Sequence, residues 1–402
     1  MSRVLFTWEL GGGFGHLHRI AELARPLVAA GHEVHFASSE LAGLAGLFDD
    51  SVRCHQAPLA HRAGASKQKR LFTFPQVLMQ TVLRDADATV GAVRAWQNLY
   101  DLIAPEVIVF DYSPTAILAA RGRAVRQVVV GTGFLVPPDR APLDNLRTAV
   151  KVDPTSLVRI EARALATMND VLHRCGGPAL ERVGQLYAVD AQALMTLPEL
   201  DHYPQREAAD YWGVTRHPPG DTPVWPDAPG KRVFAYLKPF KTLPALLETL
   251  QKRGGPTLVF APKLPATVIE RFATPALRFV PRALDMEPAC READVVICHA
   301  GHGAVAAALL AGTPLLGLPQ NLEQHMNVES AVRVGAALNA PQMQPGGMAK
   351  KLARLLEEPG FTVAARAFAE RYAALDADGP ARRLQALVED WTQKQGRRKS
   401  VH

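Results

Sequence analysis

Residues 294–324 read DVVICHAGHGAVAAALLAGTPLLGLPQNLEQ, and this stretch indicates the fold class most clearly. The apolar strand Asp294 to Cys298 runs into a loop with two glycines and two histidines, and a helix follows from Ala304 to Ala311. Gly312 ends that helix, and Leu315 to Leu318 is the next strand. Strands that alternate with helices in this way predict a parallel, doubly wound α/β sheet.

The N-terminal segment has the same pattern. Arg3 to Trp8 is a strand candidate, a glycine loop follows at 11–15, and Leu17 to Ala30 has the apolar spacing of a helix. Further strands are predicted at Glu33 to Ala37 and at Glu106 to Asp111. The chain therefore contains two regions of similar α/β organisation.

Proline and glycine mark the boundary between these regions. Residues 216–230 contain five prolines and two glycines, which is typical of a linker. We predict an N-terminal Rossmann-like domain at 1–215, a C-terminal one at 231–380, and a terminal helix with a basic tail at 381–402 that crosses back to the first. We expect the two domains to face each other across a cleft, with ligands at the carboxyl ends of their strands.

Composition excludes several classes of protein. The chain has 402 residues, of which 48% are hydrophobic and 21% charged, so it can bury a large core and is not generally disordered. No apolar run reaches the ~18 residues of a membrane span, and the start lacks a signal pattern. The four cysteines form no CxxC pair, which argues against zinc or a disulfide framework. We therefore expect a cytoplasmic protein; its net charge of +6 leaves several anionic partners open.

The glycine loop contains the first candidate site. Gly12, Gly13 and Gly15 would let the backbone approach a ligand, although the dinucleotide fingerprint G-x-G-x-x-G is not met. A neutral His16 at this turn could take a proton from a hydroxyl, and the alternative is a capping or packing histidine. Asp111 ends a strand and could hold the second imidazole proton, although it could equally cap a helix.

The second candidate site begins at His299, which could donate a hydrogen bond to a phosphate oxygen. Gly301 and Gly303 permit close approach at a helix N-terminus, which favours an anion. Glu323 and Gln324 follow the next strand and would suit a clamp on vicinal hydroxyls. An ordinary helix start, in which Glu323 only favours the helix dipole, is the simpler interpretation.

Together these motifs resemble the donor signature of nucleotide-sugar glycosyltransferases in the UDP-glycosyltransferase superfamily, which includes bacterial macrolide glycosyltransferases and has the GT-B fold. The positions that fit the signature are His299, Gly301, Gly312, Pro314, Pro319, Glu323, Gln324 and Asn327. The segment Gly13 to His16 is similar to the one that carries the family's catalytic base, and Asp111 falls where its supporting aspartate is expected.

The resemblance implies inverting transfer of a hexose-type sugar from a nucleotide-diphosphate donor to a hydroxyl-bearing acceptor, which is a small molecule or lipid-linked. It assigns His16 as general base and Asp111 as its partner, with no metal and no cofactor. It also implies that the C-terminal domain binds the donor, through His299, Gly301, His302, Gly303, Glu323, Gln324, Lys238, Phe279 and Arg282.

Two alanines depart from the family pattern. Ala304 stands where a hydroxyl residue usually meets the phosphate, and Ala307 stands where an acid usually binds the ribose hydroxyls. The second change would tolerate a dTDP-sugar as well as a UDP-sugar. The alternatives are a nucleotide-sugar epimerase or hydrolase of the same fold, and a non-catalytic nucleotide-sugar-binding protein. The acceptor, the sugar and the oligomeric state do not follow from the sequence.

The remaining motifs are weaker. Asp-x-Asp occurs at 85–87 and 376–378, but both lie in helix-like contexts, and we interpret them as solvated carboxylates rather than metal ligands. The cations are too dispersed for a nucleic-acid partner, whereas the cluster at 67–70 and the basic tail could touch anionic lipid at the inner face of a membrane. Apolar residues within 71–100 would form either a lipophilic acceptor pocket or helix core.

Overall fold

The computed structural model describes residues 1–9, 11, 14–48, 50–60, 71–148, 150–207, 209–340 and 345–399. The chain divides into two compact units. Unit 1 comprises Met1–Arg216 and Asp376–His402, and unit 2 comprises His217–Leu375. Within the described residues each unit contains one six-stranded parallel sheet.

Unit 1 is built around a sheet with the strand order β3-β2-β1-β4-β5-β6. Its elements are β1 (Arg3–Trp8), α1 (Phe14–Ala29), β2 (Glu33–Ser38), β3 (Val52–Gln56), α2 (Phe74–Gln80), α3 (Ala86–Ile103), β4 (Val107–Asp111), α4 (Pro114–Ala120), β5 (Arg126–Gly131), α5 (Pro154–Arg174) and β6 (Ala191–Leu194). Strand order reverses between β1 and β4, and such a switch point is where ligands of open α/β sheets bind.

Unit 2 has a sheet with the order β12-β11-β10-β7-β8-β9. Its elements are β7 (Val233–Tyr236), α6 (Leu243–Arg253), β8 (Thr257–Phe260), α7 (Ala266–Phe272), β9 (Leu277–Phe279), α8 (Met286–Glu292), β10 (Val295–Cys298), α9 (His302–Leu310), β11 (Leu315–Gly317), α10 (Leu322–Val334), β12 (Ala337–Asn339), α11 (Pro345–Glu357) and α12 (Pro359–Arg371). In both units the first strand pairs with the second on one side and with the fourth on the other.

The central strands explain why these sheets are parallel. All residues of β4 and β10 are buried, and so are five of the six in β1. Strands of parallel sheets are covered on both faces and consist of continuous apolar runs, as these do.

The proline-rich segment lies within unit 2 from His217 onward, not between the units. Asp221 forms a parallel bridge with Leu284, and the Trp225 indole donates a hydrogen bond to Glu292 at 2.9 Å. The chain changes units at 216/217 and again at 375/376. Because the prolines pack against the domain they precede, unit 2 begins at His217 and not at the predicted residue 231. It ends at Leu375, whereas the predicted bound is 380.

The terminal helix α13 (Gly379–Lys399) belongs to unit 1, where it packs against α1. Leu384, Val388 and Trp391 on this helix are part of the same buried cluster as Ile20 and Leu23 of α1. The helix therefore completes the core of unit 1 from the far end of the chain.

Candidate functional site

His16 and Asp111 come together at the switch point of unit 1. His16 lies in the first turn of α1, directly after β1, and Asp111 is the last residue of β4. Because β1 and β4 are paired in parallel, their carboxyl ends lie at the same edge of the sheet. The His16 Nδ1 atom is 2.8 Å from Asp111 Oδ1.

The arrangement leaves the other ring nitrogen of His16 as a proton acceptor. Nδ1 donates its proton in a hydrogen bond to the carboxylate, and this bond favours the tautomer that has a lone pair on Nε2. No described residue hydrogen-bonds Nε2. The His16 side chain is 15% exposed, and the Trp8 ring stacks on it at 5.6 Å between centroids. The imidazole is therefore oriented by Asp111 and Trp8 and is partly exposed.

Asp111 is a buried carboxylate between His16 and Arg19. Burial alone would raise its pKa, but His16 and Arg19 outweigh burial, and the pKa lies below the ordinary value of 3.8. Arg19 donates from Nη1 to Asp111 Oδ2 at 3.1 Å. The carboxylate is therefore ionised at neutral pH and has one oxygen for each neighbour.

Arg19 is a site residue that the sequence interpretation missed. It follows His16 by three positions, so that the two side chains share one face of α1. Its own side chain is only 12% exposed. The spacing is the signal that could have found it, but a basic residue on a helix is more often an exposed one.

Glu9, one residue beyond β1, is a second missed residue. It is 5% exposed, and its carboxylate accepts hydrogen bonds from the backbone N–H of Ala116 at 2.7 Å and of Thr115 at 3.3 Å. Burial raises the pKa of Glu9 to about 7, against the opposing effect of these two amides. Glu9 thus links the end of β1 to the first turn of α4, which follows Asp111, and nothing in the sequence distinguishes it from an exposed glutamate.

The structure describes the glycine loop only in part. Gly12 and Gly13, which are predicted to approach a ligand, lie outside the described residues. Gly15 belongs to the first turn of α1 and is exposed, and a Cβ placed there would meet none of the described atoms outside its own helix turn within 4 Å.

In unit 2, His299 lies between three strand ends. It directly follows β10 and is 7% exposed. Its Nδ1 is 2.9 Å from the carbonyl oxygen of Leu318, and its Nε2 is 2.9 Å from the backbone nitrogen of Lys238. Nε2 is also 3.1 Å from the Lys238 carbonyl oxygen. With the proton on Nδ1, Nε2 accepts from the Lys238 amide, and the ring joins the ends of β7, β10 and β11. The role of His299 as a donor to a phosphate oxygen stays a prediction.

The N-terminus of α9 follows this histidine. Gly301 is its N-cap, and no described side chain caps the helix there. The first amides of an α-helix have no partner within it, so the turn beginning at His302 and Gly303 favours an anion. A Cβ at Gly303 would lie 3.0 Å from Cε1 of His217, whose Nε2 is 3.0 Å from the Gly303 carbonyl oxygen. Glycine at 303 therefore leaves room for the His217 ring, a residue that the sequence interpretation did not single out.

Glu323 and Gln324 occupy the first turn of α10, as predicted from the strand before them. The Asn321 side chain caps this helix by accepting from the Gln324 amide at 2.9 Å. The Gln324 carboxamide in turn accepts from the Gln320 amide at 2.8 Å. One oxygen of the predicted hydroxyl clamp is thus already used to shape the turn.

The other predicted donor-binding residues lie at further strand ends. Lys238 is exposed just after β7, and Phe279 is the half-buried last residue of β9. Arg282 lies three residues further and forms an exposed ion pair with Asp221, 3.0 Å between Nε and Oδ2. The structure therefore brings Lys238 and His299 together, whereas Arg282 is engaged with the proline-rich segment.

Several weaker sequence candidates have structural roles. Phe74, Leu78 and Trp96 are fully buried, which favours helix core over an acceptor pocket. Asp85 caps α3, and Asp378 forms an ion pair with Arg216. Residues 61–70, with the basic cluster, lie outside the described residues.

The described residues contain no group of three or more His, Cys, Asp or Glu side chains that could hold a metal ion. None of their helices combines the length and the hydropathy that crossing a membrane requires.

Comparison with known proteins identifies the class. Residues 267–375 match the model of the glycosyltransferase family 28 C-terminal domain. A PGL/p-HBAD biosynthesis glycosyltransferase of Mycobacterium tuberculosis is 26% identical over 92% of this chain and 89% of its own. A PGL/p-HBAD biosynthesis rhamnosyltransferase of Mycobacterium bovis BCG is 27% identical over 84% of this chain and 76% of its own.

Solved structures establish the fold. The spinosyn rhamnosyltransferase SpnG, complexed with spinosyn aglycone, has a TM-score of 0.69 and 18% identity over 96% of this chain and all of its own. The glycosyltransferase VinC, in complex with dTDP, has a TM-score of 0.67 and 18% identity over 97% of this chain and all of its own.

The chain is therefore an enzyme of the glycosyltransferase class with the GT-B fold. This confirms the predicted fold class, the enzymatic class and the resemblance to macrolide glycosyltransferases.

Proposed function

We propose that the enzyme transfers a hexose-type sugar, with inversion, from a nucleotide-diphosphate donor to a hydroxyl-bearing acceptor. The observation that carries this proposal is the 2.8 Å contact between His16 and the buried Asp111, which leaves Nε2 of His16 as the accepting atom. A general base must have a free lone pair within reach of the substrate and a fixed orientation. The contact with Asp111 supplies the fixed orientation, and Nε2 is the atom proposed to reach the acceptor hydroxyl.

In the proposed reaction Nε2 of His16 takes the proton of the acceptor hydroxyl as its oxygen attacks the anomeric carbon. The bond from that carbon to the diphosphate oxygen breaks, and the nucleoside diphosphate leaves with the electron pair. Attack opposite the leaving group inverts the anomeric configuration. Asp111 stabilises the imidazolium that forms, and general-base catalysis of this kind contributes ~10²–10⁴-fold.

The donor is proposed to bind unit 2 through the N-terminal turn of α9. That turn has no side-chain cap among the described residues, and its amides suit the diphosphate that gains charge as it leaves. Lys238 is the nearby cation, and Glu323 with Gln324 would hold the sugar hydroxyls. Phe279 and Arg282 remain the proposed contacts to the nucleotide base. His299 supports this site by fixing the backbone of Lys238.

A deoxyribose donor is the proposed preference. Ala307 offers no carboxylate for a ribose 2′-hydroxyl, and the related structures of VinC and SpnG contain dTDP and thymidine diphosphate. The rhamnosyltransferase names of several relatives make a dTDP-linked deoxyhexose the first donor to test. We propose no metal and no cofactor for the reaction.

The test is transfer from UDP- and dTDP-sugars to a panel of alcohols and phenols, followed by nucleoside diphosphate release and by the anomeric coupling of the product. His16→Ala and Asp111→Asn should abolish most turnover while nucleotide affinity is retained, and His18→Ala on the same helix is the matched control. Full activity of His16→Ala would refute the base assignment. Sugar isomerised or released without an acceptor would favour an epimerase or hydrolase, and binding without turnover would favour a binding protein.

A further inference from the structure

Ala300 has an unusual backbone in the loop that leads to α9. Its φ is +58°, in the left-handed region, and it is one of four non-glycine residues with a positive φ among those described. The residue is completely buried. This conformation is unfavourable for an L-residue with a Cβ, so the surrounding structure must stabilise it.

Two groups hold the Ala300 backbone from opposite ends. Its N–H donates to Cys298 Sγ at 3.4 Å, and its carbonyl oxygen accepts from Nδ2 of Asn327 at 3.0 Å. Asn327 lies on α10 and is 2% exposed. This hydrogen bond therefore links α10 to the loop that precedes α9.

Within the described residues, the bond to Ala300 is the hydrogen bond that the Asn327 side chain forms. Its Oδ1 is buried without a hydrogen-bond partner in the described part of the chain. Burying an amide with one unpaired end is unfavourable. The hydrogen bond to Ala300 is therefore the contact that explains a buried asparagine at this position.

The orientation of the Ala300 peptide determines how α9 begins. Gly301, the next residue, is the N-cap of α9, and its carbonyl accepts from Val305 at 3.0 Å to close the first turn. If Ala300 relaxed to an ordinary conformation, Gly301 and the amides of His302 and Gly303 would turn away from their present directions.

We propose that Asn327 is a positioning residue for donor binding, which holds Ala300 in the left-handed conformation and thereby aims the α9 amides at the donor diphosphate. The inference rests on the proposed function, because it presumes that the diphosphate binds at this helix. Asn327 touches no substrate in this account and acts through the backbone of Ala300 alone.

The test compares nucleotide affinity with stability in four variants. Asn327→Ala should raise the Kd of the nucleoside diphosphate, measured by calorimetry with UDP or dTDP, by about tenfold. Adding Ala300→Gly in that background should recover a large part of this loss, because glycine reaches positive φ without strain. Ala300→Gly alone is the reference against which the double variant is compared. The KM for donor should rise in Asn327→Ala while the KM for acceptor stays constant.

Thr313→Ala is the matched structural control. Thr313 is 3% exposed in the same unit, and its hydroxyl donates to the Cys290 carbonyl at 2.7 Å, a side chain to backbone bond like that of Asn327. It should lower the melting temperature with nucleotide affinity unchanged. If Asn327→Ala does not fold, Asn327→Ser removes the same bond more mildly, because its hydroxyl can bond back to a carbonyl of its own helix.

The outcomes separate the two proposals. Wild-type affinity in Asn327→Ala, or an equal loss of affinity in Thr313→Ala, would overturn the positioning role alone. Failure of Ala300→Gly to recover any affinity would overturn it as well. If the wild-type protein bound no nucleoside diphosphate, the proposed function would fall and this inference with it.

Discussion

One buried carboxylate, that of Asp111, contacts both His16 and Arg19. Its Oδ1 lies 2.8 Å from Nδ1 of His16, and Arg19 donates to Oδ2 at 3.1 Å. Because each oxygen has its own partner, the carboxylate cannot rotate away from His16 without losing its bond to Arg19. Arg19 is therefore expected to hold Asp111 in the position that orients His16.

Replacing Arg19 by methionine should lower turnover. Asp111 then keeps only one of the two groups that hold its carboxylate, so His16 is less precisely oriented and kcat should fall by roughly tenfold. The measurement is kcat with donor and acceptor saturating, together with the Kd of the nucleoside diphosphate, which should not change. Arg25→Met, at an arginine on the same helix that is 69% exposed, should leave kcat unchanged. An unchanged kcat in Arg19→Met would contradict this role.

Glu9 should make the stability of unit 1 depend on pH. Its pKa rises from 4.5 to about 7 on folding, so the folded state holds a proton that the unfolded state has lost. Stability should therefore fall as pH increases from about 4.5 to 7, by about 3 kcal/mol in total. Urea unfolding at pH 5, 6, 7 and 8 checks this.

Glu9→Gln is the comparison for that experiment, because glutamine does not titrate. Its stability relative to wild type should improve as the pH is raised. Four of the five tryptophans, namely Trp8, Trp96, Trp212 and Trp391, lie in unit 1, so tryptophan fluorescence reports mainly on that unit. Parallel stability curves for the two proteins would show that the carboxyl is not perturbed.

At the scale of elements, close approach of α10 to the sheet of unit 2 depends on Gly317 in β11. A Cβ built on Gly317 would overlap the Val328 side chain and lie 2.8 Å from its Cβ. Val328 is fully buried on α10, so the valine has no room to withdraw. The glycine is needed here for packing, not for a special backbone angle.

Gly317→Ala should destabilise the protein by about 1–3 kcal/mol, because the added methyl forces α10 away from the sheet. Val328→Ala removes Cγ2, the atom that the added Cβ would overlap, so the double variant should be more stable than the sum of the two single effects predicts. Urea unfolding followed by far-UV circular dichroism measures all three proteins. Strict additivity would indicate that the helix does not contact the strand at this position.

The elements show how far sequence reasoning reached. The strand-loop-helix pattern near His16, the strand ending at Asp111 and the helix start at Glu323 all follow from local apolar spacing and turn residues. Contacts between distant segments could not be predicted in this way. Arg19 on α1 contacts Asp111 at the end of β4, and His299 forms bonds to the ends of two other strands. No local sequence pattern encodes these contacts.

At the scale of the molecule, both units use one topology for different chemistry. Each sheet has six parallel strands, and the strand order reverses next to the first strand of the unit. In each unit the candidate site residues therefore lie at the carboxyl ends of the strands. Unit 1 has His16 and Asp111 at these ends, and unit 2 has the loop that precedes α9. The positive charge of the chain, with Lys238 near that loop, agrees with a diphosphate ligand.

Nucleotide binding should therefore raise the melting temperature of the whole protein. A ligand that binds only the folded state stabilises it by about 2.7 kcal/mol at a concentration of one hundred times Kd. A thermal-shift series with UDP, dTDP and GDP should rank dTDP first, since Ala307 provides no carboxylate for a ribose. A clear preference for UDP would refute the proposed role of Ala307 and leave the base assignment standing.

The central claim is that His16 is the base that activates the acceptor. Its most direct test is the single-turnover rate of His16→Ala with donor and acceptor both saturating. We predict a rate ~10²–10⁴ below wild type, an unchanged Kd for the nucleoside diphosphate, and partial recovery when imidazole is added. A His16→Ala rate equal to that of the wild type would contradict the account.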